Sequence, residues 1–489
     1  MSKVYVASRV CQRHVLPRDE VSPVGCGDSH RVQEGGGMKA LHLFSGAGGG
    51  ALGFKWAGFE SVGAFDVCAA ACRDLTYLTG EAATVADLAT LSPAELRAAC
   101  SGRPDVVFTS PPCKAFSGCL PSAKSCTPKY VDLSSLALRG IWLALEAWAD
   151  SPPPLFVMEN VPRIMSRGRR WIDHLTGLLQ GYGYAVRETT HDCGELGGLA
   201  QRRRRFLLVA RHMEQVPELL YEPPRRTLRS IGDVLGELPV PLPEGNDGGP
   251  MHRLGRMSAS NWVRLALIPA GGDWRDLPAS VALTDRRGRQ NGGFGVEDWT
   301  ASSHAVIAEG TVRNTHASVS DPRINPRREG SMGVTGPWQV ADPRLGCEPR
   351  SGSYHVHDWA EPSHTVIGAA TYGKGAALAD PRVESIVGPH IDLDDKTPIH
   401  LVIKATDGTW HRPMTTLELA ALQGFPVRHN REWLQFDGKS HAGWRQRIGN
   451  AVPPPAAEAI AKACLKTLEA ARGGRLLMSS TPVWVEAAP

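Results

Sequence analysis

Between about residues 38 and 211, short runs of apolar residues alternate with stretches whose apolar positions recur every three or four residues. The runs Ala40–Phe44, Ser61–Phe65, Asp105–Thr109, Leu155–Met158 and Arg205–Ala210 predict strands. Between the first four, Ala69–Leu78, Pro93–Ala99 and Leu133–Ala149 have helical spacing. Strands that are apolar throughout are covered on both faces. Their alternation with helices predicts an α/β fold built on a parallel, doubly wound, Rossmann-like sheet.

Residues 212–410 break this pattern. They are rich in Gly, Pro, Arg and Trp and predict a smaller, irregular, β-rich domain. One unit inside it repeats. Asp298-Trp299, Ser303-His304 and Val306-Ile307 recur 60 residues later as Asp358-Trp359, Ser363-His364 and Val366-Ile367. Asp-Pro-Arg also recurs, at 321–323, 342–344 and 380–382. Two copies are too few for a solenoid. Helical spacing returns at 411–472, with Thr415–Leu422 and Pro454–Ala471, the latter carrying Pro in its first turn. A helical piece after a long insert is expected to dock back on the first domain. Residues 1–37 read as a flexible polar leader, with Met38 as an alternative start, and residues 473–489 as a tail.

A chain of 489 residues suggests two or three domains and can bury ample core without disulfides or metals. The net charge of +4 does not by itself name a partner. Of the 54 basic residues 42 are Arg, which suits bidentate contact with phosphates and guanine edges; a GC-rich genome gives the same bias. No uncharged apolar stretch reaches the ~18 residues of a membrane span, and residues 1–37 lack the apolar core of a secretory signal. Eleven scattered cysteines, an odd number, fit reduced thiols in a cytoplasm. Cys11/His14 and Cys26/His30 are spaced loosely like zinc ligands, but no apolar pattern surrounds them, and no metal is expected.

The first predicted strand runs into Phe44-Ser45-Gly46-Ala47-Gly48-Gly49-Gly50. A strand, a glycine turn and a helix start form a nucleotide-type pocket, in which the helix N-terminus offers N–H groups to an anion. Asp66, 20 residues after Gly46 at the end of the second strand, suits ribose hydroxyls. Taken alone, this loop also fits a dehydrogenase. The third strand ends in Ser110-Pro111-Pro112-Cys113. Ligands sit beyond the carboxyl ends of such strands, so two prolines would hold a potential thiolate nucleophile at that edge. The alternative is an inert buried cysteine. Cys119 and Cys126 lie nearby without a comparable frame. The fourth strand ends in Met158-Glu159-Asn160-Val161-Pro162, which puts a carboxyl group at the same edge. In Gln201-Arg202-Arg203-Arg204-Arg205, strand alternation points Gln201, Arg203 and Arg205 one way and Arg202 and Arg204 the other. Two cations could thus face the cleft, or the run could be a solvated basic patch.

Together these residues resemble the DNA cytosine-5 methyltransferase family. The resemblance covers about residues 38–211 and 411–470. It rests on six motifs in the family's order: Phe-Ser-Gly-Ala-Gly-Gly, Pro-Pro-Cys, Glu-Asn-Val, Gln-x-Arg-x-Arg, the run from Arg412-Pro413-Met414-Thr415 to Leu422-Gln423-Gly424-Phe425-Pro426, and Gly449-Asn450-Ala451-Val452.

The resemblance implies covalent catalysis on a cytosine flipped out of double-stranded DNA. Cys113 would add to C6 of the ring. Glu159 would contact N3 and the exocyclic amine. Arg205 would hold the base, with Arg203 as a helper. The implied methyl donor is S-adenosylmethionine. Phe44 would stack on its adenine, and Gly46, Ala47, Gly48 and Gly49 would meet its amino-acid end. Asp66 would bind the ribose, and Val67, Asp87 and Leu88 the adenine. Pro112, Asn450 and Ala451 would complete the donor pocket. The insert would read the DNA target. Its repeated unit would be a duplicated scaffold hairpin with Trp in a core, or two loops presented to DNA. The implied setting is the cytoplasm of a bacterium or phage-infected cell, the protein working as a monomer with or without a restriction partner.

Three positions depart from the family pattern. His42 stands where Asp is usual and is expected to be a satisfied structural residue. Lys114 replaces a frequent Gln and could touch a phosphate. Ala200 replaces Pro. Three rival functions remain: the same chemistry on transfer RNA, a DNA-binding relative without turnover, and a dinucleotide-dependent oxidoreductase.

Overall fold

The computed structural model describes residues 37–113, 128–241 and 402–473 nearly throughout, with single gaps at 217, 219, 406 and 408. In the insert it describes short stretches, chiefly 248–254, 265–277, 296–306 and 318–320. The Cys/His pairs of the leader, Lys114, Cys119, Cys126, the Asp-Pro-Arg triplets and residues 359–367 of the second repeat copy lie outside the described residues.

The sheet is built from β1 (Lys39–Leu43), β2 (Glu60–Asp66), β3 (Thr84–Val85), β4 (Val106–Thr109), β5 (Leu155–Asn160), β6 (Tyr184–Asp192) and β7 (Arg204–His212). Its spatial order is β3-β2-β1-β4-β5-β7-β6. Helices α1 (Gly49–Trp56), α2 (Ala69–Thr79), α3 (Pro93–Ala99), α4 (Pro128–Ala147) and α5 (Arg169–Gly181) lie between its strands. The pairs among β1 to β5 are parallel, but β7 runs antiparallel to both β5 and β6. The sheet is therefore mixed, a correction to the all-parallel expectation. After β5 the chain crosses over through α5 to the edge strand β6. The connection from β6 to β7 is too short for a second full crossover, so the chain returns antiparallel between β5 and β6.

Each central strand divides its residues between two cores. Ala40, Val106, Leu155, Val157, Leu207 and Val209 face one side, with Phe54 of α1. Leu41, Leu43, Val107, Phe156, Met158, Phe206 and Leu208 face the other, with Ile141 and Leu145 of α4 and Leu175 of α5. The start of α3 follows directly from its sequence. Ser92 accepts from Glu95 N at 3.3 Å, the Glu95 carboxylate accepts from Ser92 N at 2.8 Å, and Pro93 fills the first helical position.

The chain leaves β1 towards β2 and leaves β4 towards β5, so the order reverses between these two central strands. Loops after β1 and β4 therefore meet at the switch point where ligands bind in such sheets. Ser110 ties them together, its N donating to Leu43 O at 3.3 Å and its Oγ to Phe44 O at 3.1 Å.

The C-terminal segment carries α6 (Thr416–Leu422), α7 (His441–Asn450) and α8 (Pro454–Arg472). Thr415 and Glu418 form a capping box at α6. Glu418 also takes a fully buried, two-bond ion pair from Arg412, at 2.7 and 2.9 Å. Ala456, Ala457, Ile460 and Leu468 of α8 join the core that contains Phe54 of α1. A Cβ on Gly49 would overlap the Val452 carbonyl, and one on Gly53 would overlap that of Pro454. These two glycines let the helices approach this closely. Arg447 of α7 pairs with the buried Asp74 of α2, and Asp437 N donates to the same carboxylate at 2.6 Å.

Four short strands of the insert, at 340–341, 402–404, 318–320 and 296–297, and the strand 410–413 at the start of the C-terminal segment make one small sheet, in the spatial order 340–341, 402–404, 410–413, 318–320, 296–297. Among the described residues no helix is long and apolar enough to cross a membrane.

Candidate active site

The turn after β1 is shaped by left-handed backbone. Phe44, Gly46 and Gly48 have φ of 54°, 52° and 84°. For a phenylalanine that conformation is strained, and such strain collects at ligand sites. Gly140 of α4 makes room for the Phe44 ring, because a Cβ there would lie 2.8 Å from it. Asp66 braces the turn with both oxygens: Oδ2 accepts from Gly46 N at 2.9 Å and Oδ1 from Cys68 N at 2.8 Å. The space beside Gly46 is open, and no side chain caps α1. This leaves its first N–H groups for an anionic ligand group.

Beyond β2 and β3, Val67 is 69 % exposed and Asp87 is exposed. Both line a cleft of about 1400 Å³ that continues along Ser135, Arg139 and Trp142. An open, uncapped glycine turn leading to an exposed valine and a carboxylate fits the amino-acid, ribose and adenine parts of S-adenosylmethionine. The Leu88 side chain does not line this cleft. The Leu88 side chain is buried in the core beneath the sheet, and Arg139 Nη2 fixes the following turn through Leu91 O at 2.7 Å. Leu88 supports the cleft floor from inside.

At the other side of the switch point, Cys113 is half-buried and carries a free thiol. Asn160, at the end of β5, donates to Pro111 O at 3.2 Å and so ties the Pro-Pro-Cys loop to the strand that carries Glu159. Glu159 is buried and pairs with Arg205 of β7, Nε to Oε1 at 3.0 Å. Burial, and then the charge of Glu159, raise the pKa of the Cys113 thiol; Arg205 and Arg203 oppose that rise. Cys113, Glu159 and Arg205 thus stand within reach of one another's charges.

Arg203 and Gln201 share the predicted side of the basic run, while Arg202 and Arg204 are exposed. Arg203, however, does not reach into the cleft. Its Nη1 donates to Val306 O at 2.7 Å, and its Nη2 to Gly449 O and Ala451 O at 2.9 and 3.2 Å. Burial lowers its pKa to about 9. Its charge still acts on Cys113 and Glu159, while its hydrogen bonds join the insert to the C-terminal segment. Gln201 donates to Leu422 O and to Gln423 Oε1 at 2.8 and 2.9 Å and accepts from Val306 N at 3.1 Å. Gln423 in turn donates to Ala451 O at 2.7 Å. Ala451 is buried beside Gly49, and Asn450 is exposed at the end of α7.

The first copy of the repeated unit joins this seam. Ser303 Oγ and N both donate to Ala200 O at 2.9 Å, and Arg202 N donates to Ser303 O at 2.8 Å. Trp299 packs against a core cluster, and its carbonyl accepts from Gly232 N at 2.7 Å. This copy is strapped onto the basic run. Spacing alone does not reveal such a strap, since its acceptors are main-chain carbonyls.

His42 also differs from expectation. It is buried between Phe54 and Phe108, its Nδ1 has no partner, and burial lowers its pKa to about 4. It is structural, but not satisfied. Sequence reasoning missed His191, which stands opposite Arg205 in the β6–β7 register and belongs to no motif.

A family model, described as C-5 cytosine-specific DNA methylase, matches residues 38–240 and 355–466, well over half of the chain. The chain belongs to that family. Among curated members, it is 28 % identical to the type II methyltransferase M1.HphI of Haemophilus parahaemolyticus over 249 residues. That alignment spans 49 % of this chain and 63 % of the relative, less than two thirds of its length. Similarity to the type II methyltransferase M.XorII of Xanthomonas oryzae pv. oryzae is lower, at 23 %, but spans 88 % of this chain and 84 % of the relative. Among solved structures, the Entamoeba histolytica methyltransferase EhMeth superposes with a TM-score of 0.51 at 14 % identity, covering 88 % of this chain and 98 % of that one. This likeness concerns the C5 methylase fold.

Proposed function

We propose that the protein methylates C5 of a cytosine in a specific sequence of double-stranded DNA. The observation that carries this reading is the buried Glu159–Arg205 pair beside the half-buried Cys113 thiol, at the switch point of the sheet. Cytosine C5 is a weak nucleophile, and addition of a thiolate at C6 moves electron density onto it. Cys113 is placed for that addition. In the free site Glu159's charge opposes the thiolate. When the carboxylate shares a proton with cytosine N3, that opposition falls and charge building on the ring is neutralised. Arg205 holds the carboxylate in place and offers a cation to the base. When bound, S-adenosylmethionine supplies a methyl group activated by a positively charged sulfur. C5 takes the methyl group, and the donor sulfur leaves as a neutral thioether; a solvent base then takes the C5 proton as the Cys113–C6 bond breaks, which expels the Cys113 thiolate and restores the ring. Glu159 lies deep in the site, so the target must leave the duplex to reach it.

The turn from Phe44 to Gly49, with Asp66, Val67 and Asp87, would hold the donor. The six cysteines that the structure describes are free thiols, which supports a cytoplasmic location. Bisulfite sequencing of unmethylated plasmid DNA, incubated with the protein and S-adenosylmethionine, tests the reading. Protected cytosines in one short context are expected, and none with Cys113→Ala. Methyl transfer to transfer RNA in place of DNA would overturn it.

A further inference from the structure

His191 lies near the end of β6 and pairs with Arg205 across the β6–β7 ladder. Paired residues of an antiparallel ladder share a face. Arg205 therefore stands between His191 on one neighbouring strand and Glu159 on the other. Both ring nitrogens of His191 are buried, and neither has a hydrogen-bond partner. Two unsatisfied polar atoms in one buried ring destabilise the fold, and an apolar side chain of similar size would pack there without that cost. Such groups call for a functional explanation.

The charges around the ring narrow what would satisfy it. Arg205 and Arg225 act on it as cations, and Asp192 is the carboxylate close by. Asp192 is already engaged, accepting from Gly194 N at 2.8 Å and from Arg203 N at 2.7 Å. Burial is the main cause of a His191 pKa near 4, so at neutral pH the ring offers one N–H donor and one acceptor. His191 as a residue is only half-buried, and Arg225 close by is 70 % exposed, so the ring lies near solvent with a cation beside it. A ligand that accepts a hydrogen bond and carries negative charge fits this place. Two strands out from Glu159, on the far side of Arg205, the site suits the backbone of a nucleotide rather than its base.

We propose that His191 is a further substrate-contacting residue, donating a hydrogen bond to a phosphate of the target strand beside the displaced cytidine. The proposal rests on the DNA-methylating reading above. It is tested with the full-length protein, S-adenosylmethionine and unmethylated plasmid DNA, using His191→Leu and His191→Gln. In His191→Leu, the KM for DNA rises roughly tenfold, the loss of one hydrogen bond to a charged group. Its KM for the donor stays constant. Its thermal midpoint stays level or rises, because the unsatisfied ring is gone. His191→Gln keeps a donor and an acceptor and recovers most of the DNA affinity. An unchanged KM for DNA in His191→Leu overturns the assignment. So does a lowered thermal midpoint with parallel losses for DNA and donor, which would make the ring a folding element. A wild-type protein that transfers no methyl group to DNA overturns the underlying reading instead, and the variants are then not what failed.

Discussion

The carboxyl edge of the sheet and the seam beneath it draw on the same short run of sequence, yet they treat polar groups in opposite ways. At the edge, Cys113 keeps a free thiol, and Arg205 directs its Nε to Glu159 while remaining partly exposed. At the seam, two residues earlier, Arg203 is fully buried and gives three hydrogen bonds to main-chain carbonyls from the insert and the C-terminal segment. Gln201 likewise engages both its oxygen and its nitrogen. A group meant for a substrate keeps bonding capacity for it. A group that joins chain segments uses that capacity within the protein. A shared motif therefore does not give its members a shared role.

Four experiments break or sharpen this contrast. The largest effect is expected at the edge. Cys113→Ala should reduce methyl transfer by at least about 10⁴-fold, the scale of losing a nucleophile. Its thermal midpoint and donor affinity, read by scanning fluorimetry and calorimetry, should stay close to the wild type. The two arginines come next. Arg203→Ala should destabilise the fold by about 3–5 kcal/mol in urea unfolding, because it leaves buried carbonyls without donors and opens a cavity. Arg205→Ala leaves the buried Glu159 carboxylate unpaired, so it should cost about 3 kcal/mol of stability as well as about 100-fold in turnover. An equal loss of turnover in folded Arg203→Ala would erase the distinction.

His42 offers a smaller effect, from a buried polar group outside the pocket. Its folded pKa of about 4 lies below the ordinary 6.5. The unfolded chain therefore binds the extra proton first, and stability falls as pH drops from 6.5 towards 4. The loss should approach about 3 kcal/mol near pH 4, and His42→Leu should flatten that part of the pH–stability curve. The smallest effect belongs to the strap. Ser303→Ala removes one hydrogen bond to Ala200 O and should cost about 1 kcal/mol. Loss of turnover without loss of stability in this variant would mean that the strap acts on the edge directly.

Much of the sheet was legible because β1, β4 and β5 are buried at nearly every position and mostly apolar, while β2 keeps an apolar centre between polar ends. β6 was missed for the opposite reason. It is an edge strand, half solvated, and its Arg-Glu-Thr-Thr-His run carries no apolar signal. The direction of β7 was misread because apolar content does not encode strand polarity. Cys113, Glu159 and Arg205 could be found because the chemistry needs those side chains at strand ends. Arg203 and Leu88 were assigned to the pocket by position alone. Their places depend on carbonyls and core packing supplied by distant segments, which local spacing does not contain. His191 had no motif to mark it and emerges only from strand register.

The close fit of Gly49 and Gly53 against Val452 and Pro454 also has a consequence for biosynthesis. The ribosome makes the glycine turn well before its covering helix. At ordinary rates of synthesis, roughly 10–50 s separate completion of β7 from the emergence of α8. Throughout that interval the apolar face of α1 has no lid. The nascent chain must therefore hold an open, solvent-facing core until α8 has emerged, and synthesis of α8, rather than of the sheet, marks when the glycine turn is covered.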